Sequence, residues 1–372
     1  MSPRALYVHV PFCARRCGYC NFTLVADRLD LVDRYLLAIE RELAALGGPL
    51  QLDTLFFGGG TPSQLPPPAL RRLFEIVRSR FGLATGAEVS FEANPADFEA
   101  ELAGLLLELG VTRISLGTQS FDDRKLEALE RDHRAADVLR SVELARRFPT
   151  WSLDLIFAAP GETLAGWQAD LEAALGLAPP HLSTYGLTIE PGTTFFGRRA
   201  RGALAQTPEE AERAMYERAI DRLTAAGYEH YEVSNFARPG HRCRHNENYW
   251  LGGQYFAAGP GAASYVAGRR AMNHRSTFTY LDRVLAGGSA VVEAEELPPT
   301  ERARERLVFG LRRLEGVDRQ EFEAATGFAL DELAGRVLPR FVGRGLLADD
   351  GRRVSLTRTG LLVSDSLWGE LL

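Results

Sequence analysis

Tyr7-Val8-His9-Val10-Pro11-Phe12-Cys13-Ala14-Arg15-Arg16-Cys17-Gly18-Tyr19-Cys20 is the stretch that decides how this chain is read. Its first half, together with Leu6, is a short run of β-branched and apolar residues stopped by a proline, the mark of a strand entering a loop. The second half holds three cysteines at the spacing Cys-x3-Cys-x2-Cys. The chain has only 4 cysteines in 372 residues, too few for the disulfide framework of a secreted protein, so their clustering points to metal. Three thiolates suit an iron-sulfur cubane, which would keep one iron without a protein ligand. A structural zinc ion needs four ligands closed around it, and Cys243 or His9 could supply the fourth, which leaves a non-redox zinc-binding interaction module as an alternative.

Downstream of this stretch the chain alternates short strand-like runs with longer helical ones as far as about residue 190. Strands are expected at Leu6–Val10, Thr54–Phe57, Val89–Glu92, Arg113–Gly117, Leu153–Phe157 and Leu182–Leu187, and helices at Leu31–Leu46, Ala69–Arg80, Ala135–Arg147 and Leu164–Leu177. In the first helix Leu31, Tyr35, Ile39, Leu43 and Leu46 form the single apolar stripe that a helix covering a sheet requires. The pattern predicts an α/β fold, a partial (β/α)6 barrel of parallel strands. Every strand runs into a polar or glycine-rich exit: Gly58-Gly59-Gly60-Thr61-Pro62, Glu92-Ala93-Asn94-Pro95, Gly117-Thr118-Gln119-Ser120 and their counterparts. In parallel α/β folds those exits build the site, so one face collects the chemistry.

These motifs resemble the HemN/HemW branch of the radical S-adenosylmethionine (SAM) superfamily, related to oxygen-independent coproporphyrinogen III dehydrogenase, over nearly the whole chain. The resemblance implies that Cys13, Cys17 and Cys20 hold a 4Fe-4S cluster with one iron open to SAM. It implies SAM contacts from Tyr7, Tyr19, Gly59, Gly60, Thr61, Glu92, Gln119, Arg131 and Asp154. Chemistry is compatible with those roles, because carboxylates such as Glu92 and Asp154 accept from an ammonium or a ribose hydroxyl, and Arg131 can meet a carboxylate with two bonds. Arg131 stands in the charged run Glu127–Arg134, which by itself reads as a solvated helix face.

Within the branch, the dehydrogenases carry a long segment before the first strand and a further Cys two positions after the third ligand, where this chain has Phe22. Cys243-Arg244-His245-Asn246-Glu247-Asn248-Tyr249-Trp250 resembles instead the HNxxYW motif of HemW-type haem chaperones. The resemblance then implies a haem-carrying protein in place of an oxidative decarboxylase. His245, Tyr249, Trp250 and Cys243 are its candidate haem contacts, since neutral His ligates haem iron and a porphyrin face takes aromatic contacts. The same stretch also reads as a hydrogen-bonded loop whose aromatics anchor a small domain. Where these chaperones often have a histidine, this chain has Ala263.

Three regions are expected: a partial barrel over 1–235 with the cluster and SAM site, a connecting segment over 236–297 with the HNxxYW motif, and a mainly helical, winged-helix-like C-terminal domain over 298–372. Basic and acidic side chains cancel in that last region and the net charge of the chain is −6, so no nucleic-acid footprint is expected. No signal peptide and no apolar run of membrane-spanning length is read, which predicts a cytoplasmic protein. Implied partners are haem-accepting proteins, respiratory ones among them, and an electron donor to the cluster. A homodimer and a peripheral membrane contact are left open.

Overall fold

The computed structural model describes residues 3–46 and 50–372. Its main sheet has nine strands in the spatial order Phe256–Ala258, Ala5–Val10, Leu50–Gly59, Phe81–Ala93, Arg113–Gln119, Thr150–Phe157, His181–Gly186, Asn235–Ala237 and Glu229–Glu232. Neighbours are parallel from Phe256–Ala258 through His181–Gly186. The last two strands are antiparallel, and the sheet stays open. The six expected strands stand side by side in chain order, as βα crossovers require.

The covering helices follow the apolar stripes. Val32–Ala45 buries Tyr35, Leu36, Ile39 and Leu43, and Pro67–Arg78 buries Leu70, Leu73, Phe74 and Val77. Between sheet and helix, Phe57 stacks on Phe74 with ring centroids 4.4 Å apart. The short helix Ala100–Glu108 was not among those expected; it is apolar on nearly every side and carries little periodic signal.

Two further departures follow, one from a local turn and one from a distant contact. Tyr228–Phe236 is strand-like throughout in the sequence but folds as a hairpin of Glu229–Glu232 and Asn235–Ala237, because Val233-Ser234 turns the chain. Cys243–Trp250, expected as a loop, contains a helix over Arg244–Trp250. Its first amides are taken up by a carboxylate from the barrel: Glu88 accepts from the backbone N–H of Arg244 at 3.2 Å and of His245 at 3.1 Å. Phe256–Ala258, in the stretch expected to connect two domains, pairs in parallel with the first strand.

After residue 298 a helix, Pro299–Leu311, is followed by five shorter ones and an antiparallel sheet in which Arg353–Leu356 lies between Val317–Asp318 and Leu347–Asp349. Leu347–Asp349 and Arg353–Leu356 form its hairpin. Among the described residues no helix is long and apolar enough to cross a membrane.

Candidate cluster and cofactor site

The thiol loop is closed at its base by a two-residue parallel ladder between Phe12–Cys13 and Val25–Ala26. Inside it, Arg16 donates to the carbonyls of Cys20, Phe22 and Leu24 at 3.2, 3.4 and 3.1 Å, so the loop folds around its own guanidinium. All three thiols are partly buried. Cys13 Sγ lies 3.1 Å from Thr61 Oγ1, and Arg131 Nη1 donates to Cys17 Sγ at 3.6 Å. Burial pushes the Cys13 thiol up to about 12, against the Thr61 hydrogen bond, and raises Cys20 for the same reason. Left alone such thiols stay protonated; bound metal supplies the positive charge that draws thiolates out. Among the described residues no three His, Cys, Asp or Glu side chains converge on the position of one ion. Cys243 stands elsewhere, its Sγ 3.7 Å from Glu88 Oε1.

Beside the thiols, the exit of the second strand forms a thin lip. Gly60 N donates to Val10 O at 2.8 Å and Thr61 N to Phe12 O at 2.7 Å, which ties the lip to the base of the thiol loop. A side chain at Gly60 would meet the backbone of Val10 to Phe12, and one at Gly59, where φ is +115°, would meet the His9 ring. Glycine is required there by packing as well as by any ligand lying on the lip.

The third, fourth and fifth strands bring their polar residues to the same level. Glu92 is in register with Ser115, Ser115 with Ser152, and Asp154 with Ser183. Glu92 Oε2 accepts from Gly59 N at 3.0 Å. Burial pushes the Glu92 carboxyl up to about 7, with the Gly59 amide acting against it and Asp154 adding to it. Asp154 Oδ2 accepts from Ser115 Oγ at 2.8 Å while Oδ1 is buried without a partner, and burial raises this carboxyl too. Gln119 ends its strand at φ +63°, a conformation that a non-glycine residue rarely adopts.

Arg131 is not on a solvated helix face. It reaches inward, where Nη2 donates to Asn94 Oδ1 at 3.1 Å and to Gly117 O at 3.2 Å, and its Nε is buried without a partner. The three thiols, Tyr19, Gly59, Gly60, Thr61, Glu92, Gln119, Arg131 and Asp154 line one cavity of about 450 Å³. The unpartnered Asp154 Oδ1 and Arg131 Nε, the three thiols and the side-chain-free lip fit a polar cofactor on an iron-sulfur cluster. Asn94 and His133 escaped the reading of the sequence. His133 sets its ring nitrogens 3.1 Å from Asn94 Oδ1 and 2.9 Å from Thr118 O, bracing the residue that holds Arg131. Asn94 was visible only as part of a polar strand exit, since its partner lies far along the chain.

A larger cavity, about 860 Å³, adjoins the first and shares Phe22, Gly59 and Glu92 with it. Tyr7 lines this one, its hydroxyl 3.1 Å from His9 Nδ1. Tyr249, Trp250 and Ala263 are also on its wall. His245 is 1% exposed and stands behind that wall, with Nδ1 2.8 Å from Thr54 Oγ1 and Nε2 2.8 Å from the Tyr249 hydroxyl. Burial pushes its imidazole down to about 3, so it is neutral. Of the four residues expected to contact haem, the fold thus brings Tyr249 and Trp250 to the cavity, sets His245 behind Tyr249, and buries Cys243 beside Glu88, off the cavity wall.

Residues 7–174 match the radical SAM superfamily and residues 297–363 match the HemN C-terminal domain. The chain is 36% identical to the heme chaperone HemW of Bacillus subtilis, covering 99% of both chains, and 35% identical to that of Escherichia coli K12, covering 99% of this chain and 97% of the relative. Its fold is similar to that of a solved structure described as coproporphyrinogen III oxidase (HemN) from Escherichia coli, with a TM-score of 0.87 over 100% of this chain and 90% of the other at 22% identity. Family membership implies a 4Fe-4S cluster and SAM. With thiols, glycine lip and C-terminal domain all in place and the likeness running from end to end, the chain belongs to the HemW family of the radical SAM superfamily.

Proposed function

We propose that this chain is a haem chaperone of the cytoplasm that binds haem next to a 4Fe-4S cluster and SAM and delivers it to haem-accepting proteins, respiratory ones among them, with a reductant protein serving the cluster. The observation that carries the reading is the pair of adjoining cavities: a thiol-lined one and a larger aromatic one that share Phe22, Gly59 and Glu92. A volume of about 860 Å³ lies within the range of small-molecule and cofactor sites.

In this reading Cys13, Cys17 and Cys20 hold the cluster, with Thr61 and Arg131 directing donors at two of the sulfurs. Gly59 and Gly60 leave the lip bare for the methionine end of SAM. Glu92 and Asp154 offer oxygens to ammonium and hydroxyl donors, while Gln119, Arg131 and Tyr19 border the remaining polar groups. When bound, cluster and cofactor supply one-electron reduction of the sulfonium, chemistry that is theirs and not the chain's.

Tyr249 and Trp250 give the cargo an aromatic wall, and His245 acts through Tyr249 by holding its hydroxyl. Phe22, 63% exposed, stands on the shared rim, where the dehydrogenases of the branch carry a further cysteine. The test is a haem titration of the anaerobically reconstituted protein, which should take up one equivalent. Protoporphyrinogen formation from coproporphyrinogen III, without stable haem uptake, would instead establish the decarboxylase.

A further inference from the structure

The larger cavity has one wall that is not aromatic. The helix Pro299–Leu311 presents Arg302, Glu305, Arg306 and Phe309 to it, at the spacing of three and four that puts side chains on one helix face. Glu305 is taken by Arg270, which it meets at 2.7 Å and which Glu295 also neutralises. The other two guanidiniums have no such partner among the described residues. Arg306 Nη1 makes only a long bond, 3.4 Å, to the Gly252 carbonyl. Burial pushes Arg306 down, with the Tyr265 phenol alone acting the other way, which is how a half-buried cation without a carboxylate behaves. Arg302 packs against Gly268, whose φ of +85° suits glycine and where any side chain would strike the guanidinium.

Two half-buried arginines one helical turn apart, facing an aromatic cavity, are a costly arrangement without an anionic partner. The facing wall favours a flat apolar body: Tyr249 and Tyr255 meet edge to face at 4.6 Å, Tyr255 and Tyr265 lie 6.5 Å apart, and Trp250 is 6.4 Å from Phe309. A broad aromatic ligand with two carboxylates on one edge satisfies both walls together, and haem has that shape, with both propionates leaving the same side of the macrocycle.

We infer that Arg302 and Arg306 are a propionate clamp, so that the C-terminal domain, and not the barrel, sets the orientation of the haem in the larger cavity. This rests on the chaperone reading above and adds the recognition element. The clamp also connects cargo to the HNxxYW stretch, because Arg306 touches the carbonyl of Gly252, two residues after Trp250.

The experiment titrates the reconstituted full-length protein anaerobically with haem and with haem dimethyl ester, whose carboxylates are blocked, following absorbance. The wild type should bind haem at least roughly tenfold more tightly than the ester. The Arg302→Gln/Arg306→Gln double variant should bind both ligands alike while keeping wild-type SAM affinity, since neither arginine lines the smaller cavity. Equal wild-type affinity for haem and ester overturns the clamp and leaves the chaperone reading standing, and so does undiminished haem affinity in the double variant. No haem uptake by the wild type overturns both. Should the double variant fail to fold, the ester comparison on the unaltered protein still decides.

Discussion

At the scale of single residues the site is a set of buried polar groups short of partners. Glu92, pushed up to about 7, is protonated in much of the empty protein near neutrality. A folded value above the unfolded one means that the folded state holds the extra proton, so the stability this provides is complete below about pH 4.5 and lost as pH rises towards 7. A cationic ammonium beside Glu92 selects the ionised carboxylate. SAM affinity should therefore rise from about pH 6 to about pH 8 in the wild type and be nearly flat over that range in Glu92→Gln, read by anaerobic equilibrium binding. A pH slope unchanged in the variant would place the titrating group elsewhere. Cys17→Ser removes one of three thiolates and the sulfur that Arg131 touches, and reconstituted protein should lose most of its iron and its broad visible absorbance. Full iron content would remove Cys17 from the ligand set.

Among the elements, the glycine lip and the helix ends show what a sequence discloses and what it hides. The run Gly58-Gly59-Gly60 was legible as a strand exit, whereas the demand for glycine at Gly59 comes from the His9 ring on the neighbouring strand, a contact across the sheet that spacing does not encode. Gly59→Ala should lose on the order of 2–5 kcal/mol through strain and collision. The same change at Gly104, inside the helix Ala100–Glu108 with nothing within 4 Å of the new methyl, should gain roughly 0.5–1 kcal/mol. Thermal melts of the two variants should move in opposite directions, and a shared direction would contradict the packing described at the lip. The polar stretch Cys243–Trp250, open in the sequence to a loop reading, holds the helix Arg244–Trp250; its start depends on Glu88, more than 150 residues earlier, and tertiary context overrides local propensity.

For the molecule as a whole, the barrel order, the cysteine loop and the polar strand exits could be read directly, because each follows from periodicity or from local turn chemistry. The second cavity could not, since its walls come from the thiol loop, the stretch after Trp250 and the C-terminal helix, and only the folded chain brings them together. Besides the pairing of Phe256–Ala258 with the first strand, one buried carboxylate fastens the middle of these walls to the barrel. Glu42, on the helix Val32–Ala45, accepts from the Gly259 amide at 2.9 Å, from Asn273 Nδ2 at 2.6 Å and from the Tyr280 hydroxyl at 2.5 Å. Burial pushes this carboxyl up and the three bonds pull it down, so it is costly to bury and costlier still to remove. Glu42→Ala leaves the Gly259 amide and the Tyr280 hydroxyl without an acceptor and Asn273 Nδ2 with only the Gly259 carbonyl, 2.8 Å away, which should lower stability by about 2–4 kcal/mol and Tm by several degrees. The loss should not be uniform. Gly261, Ala262, Ala263 and Met272, which line the larger cavity, lie in the segment that Glu42 fastens, whereas the smaller cavity is built by the thiol loop and the barrel strands. Haem affinity of the folded variant should therefore fall at least roughly tenfold while SAM affinity changes less than about threefold, measured by separate titrations below the melting transition. A parallel loss of both ligands would mean that the two cavities respond as one unit, and unchanged haem binding would mean that the segment keeps its place without the carboxylate.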